Sequence, residues 1–108
     1  MNELKAHVKS IADDLSNPEK LEEWAKEYEQ EDFSVIDYLQ DALDIEYVVG
    51  SDGEYRGARV LVAFGGPNIW VNTRSKQVEG YWWGESASAS FDDEIGLDDA
   101  LAELWACR

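Results

Sequence analysis

The chain has 108 residues and a formal net charge of −15, from 24 acids against nine lysines and arginines. That length makes one domain, residues 1–108, and no fold requires self-repulsion of this size. Phosphates would be repelled, which excludes direct binding to nucleic acid or to an anionic membrane, while 44% apolar residues with five tryptophans exclude disorder.

Leu4, Val8, Ile11 and Leu15 recur at helical spacing and predict a first helix over residues 2–15. Ser16-Asn17-Pro18-Glu19 reads as a cap with proline in the first turn of a second helix. Its apolar stripe is Leu21, Trp24, Ala25 and Tyr28. Ser34 followed by Asp37 is a capping box that opens a third helix, with Val35, Leu39, Ala42 and Leu43 facing inward.

The period changes after Asp44. Ile45 to Val49 has strand character and stops at the turn residues Gly50-Ser51-Asp52-Gly53. A second strand covers residues 54–64, with Val60, Val62 and Phe64 alternating against Arg59, Leu61 and Ala63. Gly65-Gly66-Pro67-Asn68 turns into a third strand, Ile69 to Thr73, and Thr73-Arg74-Ser75-Lys76 turns into a fourth, from Gln77 to about Gly84. Glu85 to Ser90 reads as a loop or a weak edge strand. A last helix lies near residues 97–106, with Leu97, Leu101, Leu104 and Trp105 on one side. The expected fold is α+β: three N-terminal helices, a four-stranded antiparallel meander and a C-terminal helix.

No apolar run reaches the roughly 18–20 residues of a membrane span, and Met1 to Lys5 lacks the apolar stretch of a signal peptide. The single cysteine, Cys107, cannot form an internal disulfide, which suits a reducing, cytoplasmic setting. It has no base beside it in the sequence and reads as a partly buried small residue. His7 reads as a solvated surface histidine. One histidine and one cysteine at opposite ends give no transition-metal spacing, and no cofactor is expected. Asp92-Asp93-Glu94 and Asp98-Asp99 lack EF-hand spacing and read first as acids favouring a helix N-terminus. Gly65-Gly66-Pro67-Asn68 lacks the lysine and following helix of a P-loop. Nothing in the chain composes a catalytic centre, and it is expected not to be an enzyme.

Charge and aromatic content carry the functional expectation. Residues 19–46 hold eleven acids against Lys20 and Lys26, and residues 79–103 hold eight acids and no base. Between them, residues 50–78 are mildly basic. Glu19, Glu23 and Glu27 form a like-charged row at i, i+4, i+8, which costs a few tenths of a kcal/mol per pair, with Glu22 and Lys26 the one favourable pair nearby. In Tyr81-Trp82-Trp83, alternation places Trp82 with Val78 on one face, and Tyr81 and Trp83 beside Glu79 and Glu85 on the other. The second face is either an aromatic interface centre or covered core. The candidate partner-binding residues are Glu19, Glu23, Glu27, Tyr81, Trp83, Asp92, Asp93, Asp98 and Asp99.

In size, charge and layout the chain resembles the small acidic inhibitors of phages and mobile elements: DNA mimics, antirestriction proteins and anti-CRISPRs. The resemblance implies a partner that is a basic nucleic-acid-handling protein, such as a nuclease or defence complex. Two other readings stay open on the same residues. One is an immunity or antitoxin protein that neutralises a basic nuclease toxin. The other is a housekeeping adaptor whose acidity only maintains solubility.

Overall fold

The computed structural model describes residues 2–30 and 33–107. Glu31 and Asp32 of the first acidic block lie outside them. Four helices and five strands follow in the order α1 (Asn2–Leu15), α2 (Lys20–Glu27), α3 (Val35–Gln40), β1 (Asp44–Val49), β2 (Tyr55–Ala63), β3 (Asn68–Asn72), β4 (Gln77–Trp82), β5 (Glu85–Ser90) and α4 (Leu97–Ala106). The strands form one antiparallel sheet in sequence order, β1-β2-β3-β4-β5. The α+β class and the meander agree with the expectation, but the sheet has five strands instead of four. Glu85–Ser90 pairs with β4 over its whole length, so an alternating Ser/Ala segment of low strand propensity is held extended by its neighbour.

One face of the sheet is core. Val60, Val71, Val78 and Ala89 form one inward row, and Ile69, Gly80 and Ala87 another. Leu4, Val8, Ala12 and Leu15 of α1 pack on β4 and β5, while Leu97, Ala100 and Leu101 of α4 close the same core. The tight approach of α1 depends on Gly80, where an added Cβ would lie 2.6 Å from Val8 Cγ2. On the opposite face the row Glu46, Arg59, Asn72, Gln77, Ser90 is polar. There the Arg59 guanidinium lies 4.2 Å from the centre of the Trp70 ring and 3.2 Å from Glu46 Oε1. This stacked, ion-paired arginine shields Trp70 on a sheet face that no helix among the described residues covers.

Local chemistry sets the boundaries. Asn17 Oδ1 accepts from the Glu19 N–H at 3.0 Å, and α2 starts one residue later. The capping box of α3 is complete: Asp37 Oδ2 accepts from the Ser34 N–H at 2.9 Å, and Ser34 Oγ accepts from the Asp37 N–H at 3.4 Å. The backbone bond from Ser34, then its hydroxyl, hold the Asp37 carboxyl below the usual carboxylate range. A depressed folded-state pKa gives stability that is present above the unfolded value of about 4 and is lost as pH falls through the folded one. Asp37→Asn is therefore expected to lose stability relative to wild type at neutral pH. That difference should close in acid, as read from urea midpoints at a series of pH values.

Two apolar residues depart from the expected pattern. α3 ends at Gln40, and the Leu43 N–H donates to the Leu61 carbonyl at 2.9 Å. Leu43 therefore leads into β1 and is exposed, not part of the inner face of α3. A register shift between Leu61 and Ala63 breaks the alternation of β2, and Phe64 falls beyond the strand, exposed instead of aligned with Val60 and Val62. His7 is exposed, as expected, and Cys107 is exposed at the end of α4 instead of partly buried. No helix among the described residues is long and apolar enough to cross a membrane.

Candidate interaction surface

The meander places the β2–β3 turn, the β4–β5 turn and the start of β1 at one end of the sheet, since Ala63 pairs with Ile69 and Trp82 with Glu85. That end gathers four of the six exposed large apolar side chains among the described residues: Trp83 at 86% exposure, Phe64 at 71%, Leu43 at 59% and Tyr81 at 43%. Of these, Tyr81 and Trp83 line one shallow depression, and large exposed apolar groups collected at one end of a fold mark a candidate interaction site. Asp44 and Glu85 stand at the same end, so the patch has an acidic rim.

Trp83 is held there against its own preference. The β4–β5 connection is a two-residue turn in which Trp83 has φ 54° and Gly84 φ 78°. Positive φ at both central residues is the type I′ pattern that matches the twist of a hairpin. Glycine adopts it freely; a bulky L-residue in this region pays about 1–2 kcal/mol. The expected alternation of Trp83 with Tyr81 is thus corrected. Trp83 leaves the strand and projects from the hairpin tip, while Tyr81 remains on the open face beside Glu79 and Trp82 turns inward to the core.

The predicted acids divide into two kinds. Glu19, Glu23 and Glu27 are all exposed on or at the start of α2. The cation that reaches this row is Lys20, not Lys26: its Nζ lies 3.4 Å from Glu23 and 3.4 Å from Asp14 of α1. Asp92 and Asp99 are exposed as well. Asp93 and Asp98, in contrast, hold α4. Asp93 accepts from the N–H groups of Leu97 at 2.7 Å and Asp98 at 2.8 Å, reaching past left-handed Gly96 to satisfy two orphan donors of the helix. Asp98 Oδ1 accepts from the Tyr55 hydroxyl at 2.7 Å, which ties α4 to β2. Burial, then this bond, push the Tyr55 hydroxyl well above its ordinary pKa. Asp93→Ala is accordingly expected to cost about 1–2 kcal/mol of stability, whereas Asp99→Ala should change it by under about 0.5 kcal/mol. Chemical denaturation of the two variants side by side checks this.

A second aromatic group borders the acidic row. Trp24 and Tyr38 stack with centroids 4.8 Å apart, Tyr28 stacks on Phe33 at 5.4 Å, and these rings with Asp14 and Asp41 line a cleft of about 260 Å³. Burial, then the charge of Asp14, push the Tyr38 hydroxyl up to about 12. Lys20 Nζ sits 5.8 Å from the Trp24 centroid, so the edge of this cluster already holds one cation by the combination of π face and carboxylate.

Charge is sorted by layer. Arg56 and Arg59 lie on β2 and Arg74 in the β3–β4 turn, and the helices among the described residues carry lysine but no arginine. Among the described residues no group of three His, Cys, Asp or Glu side chains is placed to hold a metal ion. No protein-family profile, curated protein or solved structure matches the chain. Sequence reasoning found Tyr81 and Trp83 through the Tyr-Trp-Trp run and missed Phe64 and Leu43, each of which looked inward by periodicity alone.

Proposed function

We propose that this chain is a non-catalytic acidic protein that binds and inhibits a basic nucleic-acid-handling protein. The observation that carries the reading is Trp83, largely exposed in a disfavoured backbone conformation at the tip of a two-residue hairpin. Backbone strain retained in a native fold concentrates at functional positions. An exposed tryptophan beside Tyr81, with Phe64 and Leu43 at the same end of the sheet, has the composition of a binding hot spot, and the acids at that end select a cationic partner. The net charge of −15 supports a target whose own surface attracts phosphate backbones.

The direct test is a cleavage assay with a panel of nucleases and defence complexes, together with a mobility shift on bare DNA. The expected result is stoichiometric inhibition of one target, relieved by excess DNA, with no retardation of DNA by the chain itself. Retardation of bare DNA at physiological salt would sink the proposal, as would indifference of the inhibited target to competing DNA. The acidic row adds a kinetic expectation. Glu19→Gln, Glu23→Gln and Glu27→Gln together relieve like-charge contacts but remove the exposed Lys20–Glu23 pair, so stability should stay within about 0.5 kcal/mol. Association with the target should slow, and the wild-type rate should fall steeply with added salt. Stopped-flow traces at two ionic strengths measure both.

A further inference from the structure

β1 and β5 are the two edges of the sheet. They are not equally protected against pairing with another chain. β1 has a register shift at Val48–Val49 and charges at Asp44 and Glu46. β5 pairs with β4 without a shift from Glu85 to Ser90, and it contains no proline, lysine or bulge. Natural edges are blunted by such devices, and β5 has only the charge of Glu85 at its first residue. The Phe91 N–H donates to the Lys76 carbonyl at 3.0 Å, which sets the parity of the ladder. Odd-numbered residues of β5 bond to β4, so the N–H and C=O groups of Ser86 and Ser88 point away from the sheet.

The helix above this edge carries a charge row that complements itself. Lys5, Lys9 and Asp13 are exposed at i, i+4, i+8 on α1, and with Ala87 to Ser90 they line a groove of about 330 Å³. α1 runs in the same direction as β5. Gly80, opposite Ala87, lies against Leu4 and Val8, and Ser16 Oγ at the far end accepts from the Asp92 N–H at 2.9 Å. An antiparallel pairing of β5 with β5 of a second copy therefore sets the two α1 helices antiparallel. Lys5 of each copy then meets Asp13 of the other, and Lys9 near the centre is neutralised by its own Asp13 at 3.0 Å. Strand and helix are each about 20 Å long, so the two layers end together. Although the chain is acidic, the groove itself is lined by Lys5 and Lys9 against Asp13, so a second copy meets a locally mixed charge row and not a block of carboxylates.

We propose that the chain forms a two-fold dimer through antiparallel β5–β5 pairing, with a continuous ten-stranded sheet. The proposal is independent of what the aromatic end of the sheet binds. Sedimentation velocity over a concentration series tests it, with reductant present because Cys107 is exposed. The expected result is a reversible monomer–dimer equilibrium. Ser88→Pro removes an outward N–H without touching the β4 ladder and should raise the dissociation constant at least about tenfold. Lys5→Glu should also weaken the dimer, and Lys5→Glu with Asp13→Lys should restore it, because the swapped row again complements itself. If Ser88→Pro does not fold by circular dichroism, the charge swap alone decides. A wild type that stays monomeric up to about 1 mM would overturn the proposal. So would a dimer unmoved by the folded variants, or a monomer whose β5 edge recruits a strand of another protein instead.

Discussion

Gly80→Val is expected to destabilise the fold by about 3 kcal/mol, although valine is the better strand former. Strand propensity favours the substitution by no more than about 1 kcal/mol. Packing opposes it. The first added carbon would sit 2.6 Å from Val8 Cγ2 and 2.9 Å from Leu4 Cδ1, and both of those side chains are almost fully buried. Neither can swing into solvent, so α1 must lift from β4 or the strand must bend. Urea unfolding of wild type and variant gives the difference directly. Gly80→Ala combined with Val8→Ala should recover part of the loss relative to Gly80→Ala alone, because the new carbon then enters the space that Val8 vacates. A Gly80→Val protein as stable as wild type would mean that α1 is not seated on this glycine.

The parts of the fold legible in the sequence are those set by short-range chemistry. The stripe Leu4, Val8, Ile11, Leu15 predicts α1 to the residue at its C-terminal end, and Ser34 with Asp37 predicts a capping box that forms completely. The glycine-rich turns at residues 50–53 and 65–68 likewise place the hairpins of the meander. What stayed hidden depends on tertiary partners. Glu85–Ser90 has serine and alanine where β-branched residues would signal a strand, so the sequence leaves it between a loop and a weak edge strand, and its pairing with β4 decides for the strand. Phe64 and Leu43 each continue an apolar period by one step, but a register shift and an early helix end turn them outward. The roles of Asp93 and Asp98 were ambiguous for a related reason. A carboxylate near a helix start reads alike whether it faces a partner or caps the helix. The left-handed Gly96, which brings Asp93 over the α4 N–H groups, becomes visible only in three dimensions.

Trp83→Asn is expected to move stability and partner binding in opposite directions. Asn-Gly is the strongest short sequence for a type I′ hairpin, because asparagine tolerates positive φ and the following glycine adopts it freely. Trp83 occupies that first position at φ 54° with 86% of its surface exposed, so it gives little packing in return for its strained backbone. Removing the strain should raise stability by up to about 1 kcal/mol. The same change deletes the largest exposed ring at the sheet end, and loss of a central interface tryptophan costs about 2 kcal/mol or more of binding. Thermal or urea unfolding measures the first effect, and titration calorimetry against the inhibited target measures the second. Lower stability in Trp83→Asn would mean that the ring packs on the fold and is not an anchor for a partner. Unchanged affinity would shift the anchor to Phe64 and Tyr81, which flank the same end. A variant that is more stable and yet binds poorly is the outcome that identifies Trp83 as a residue kept for contact at the expense of the turn.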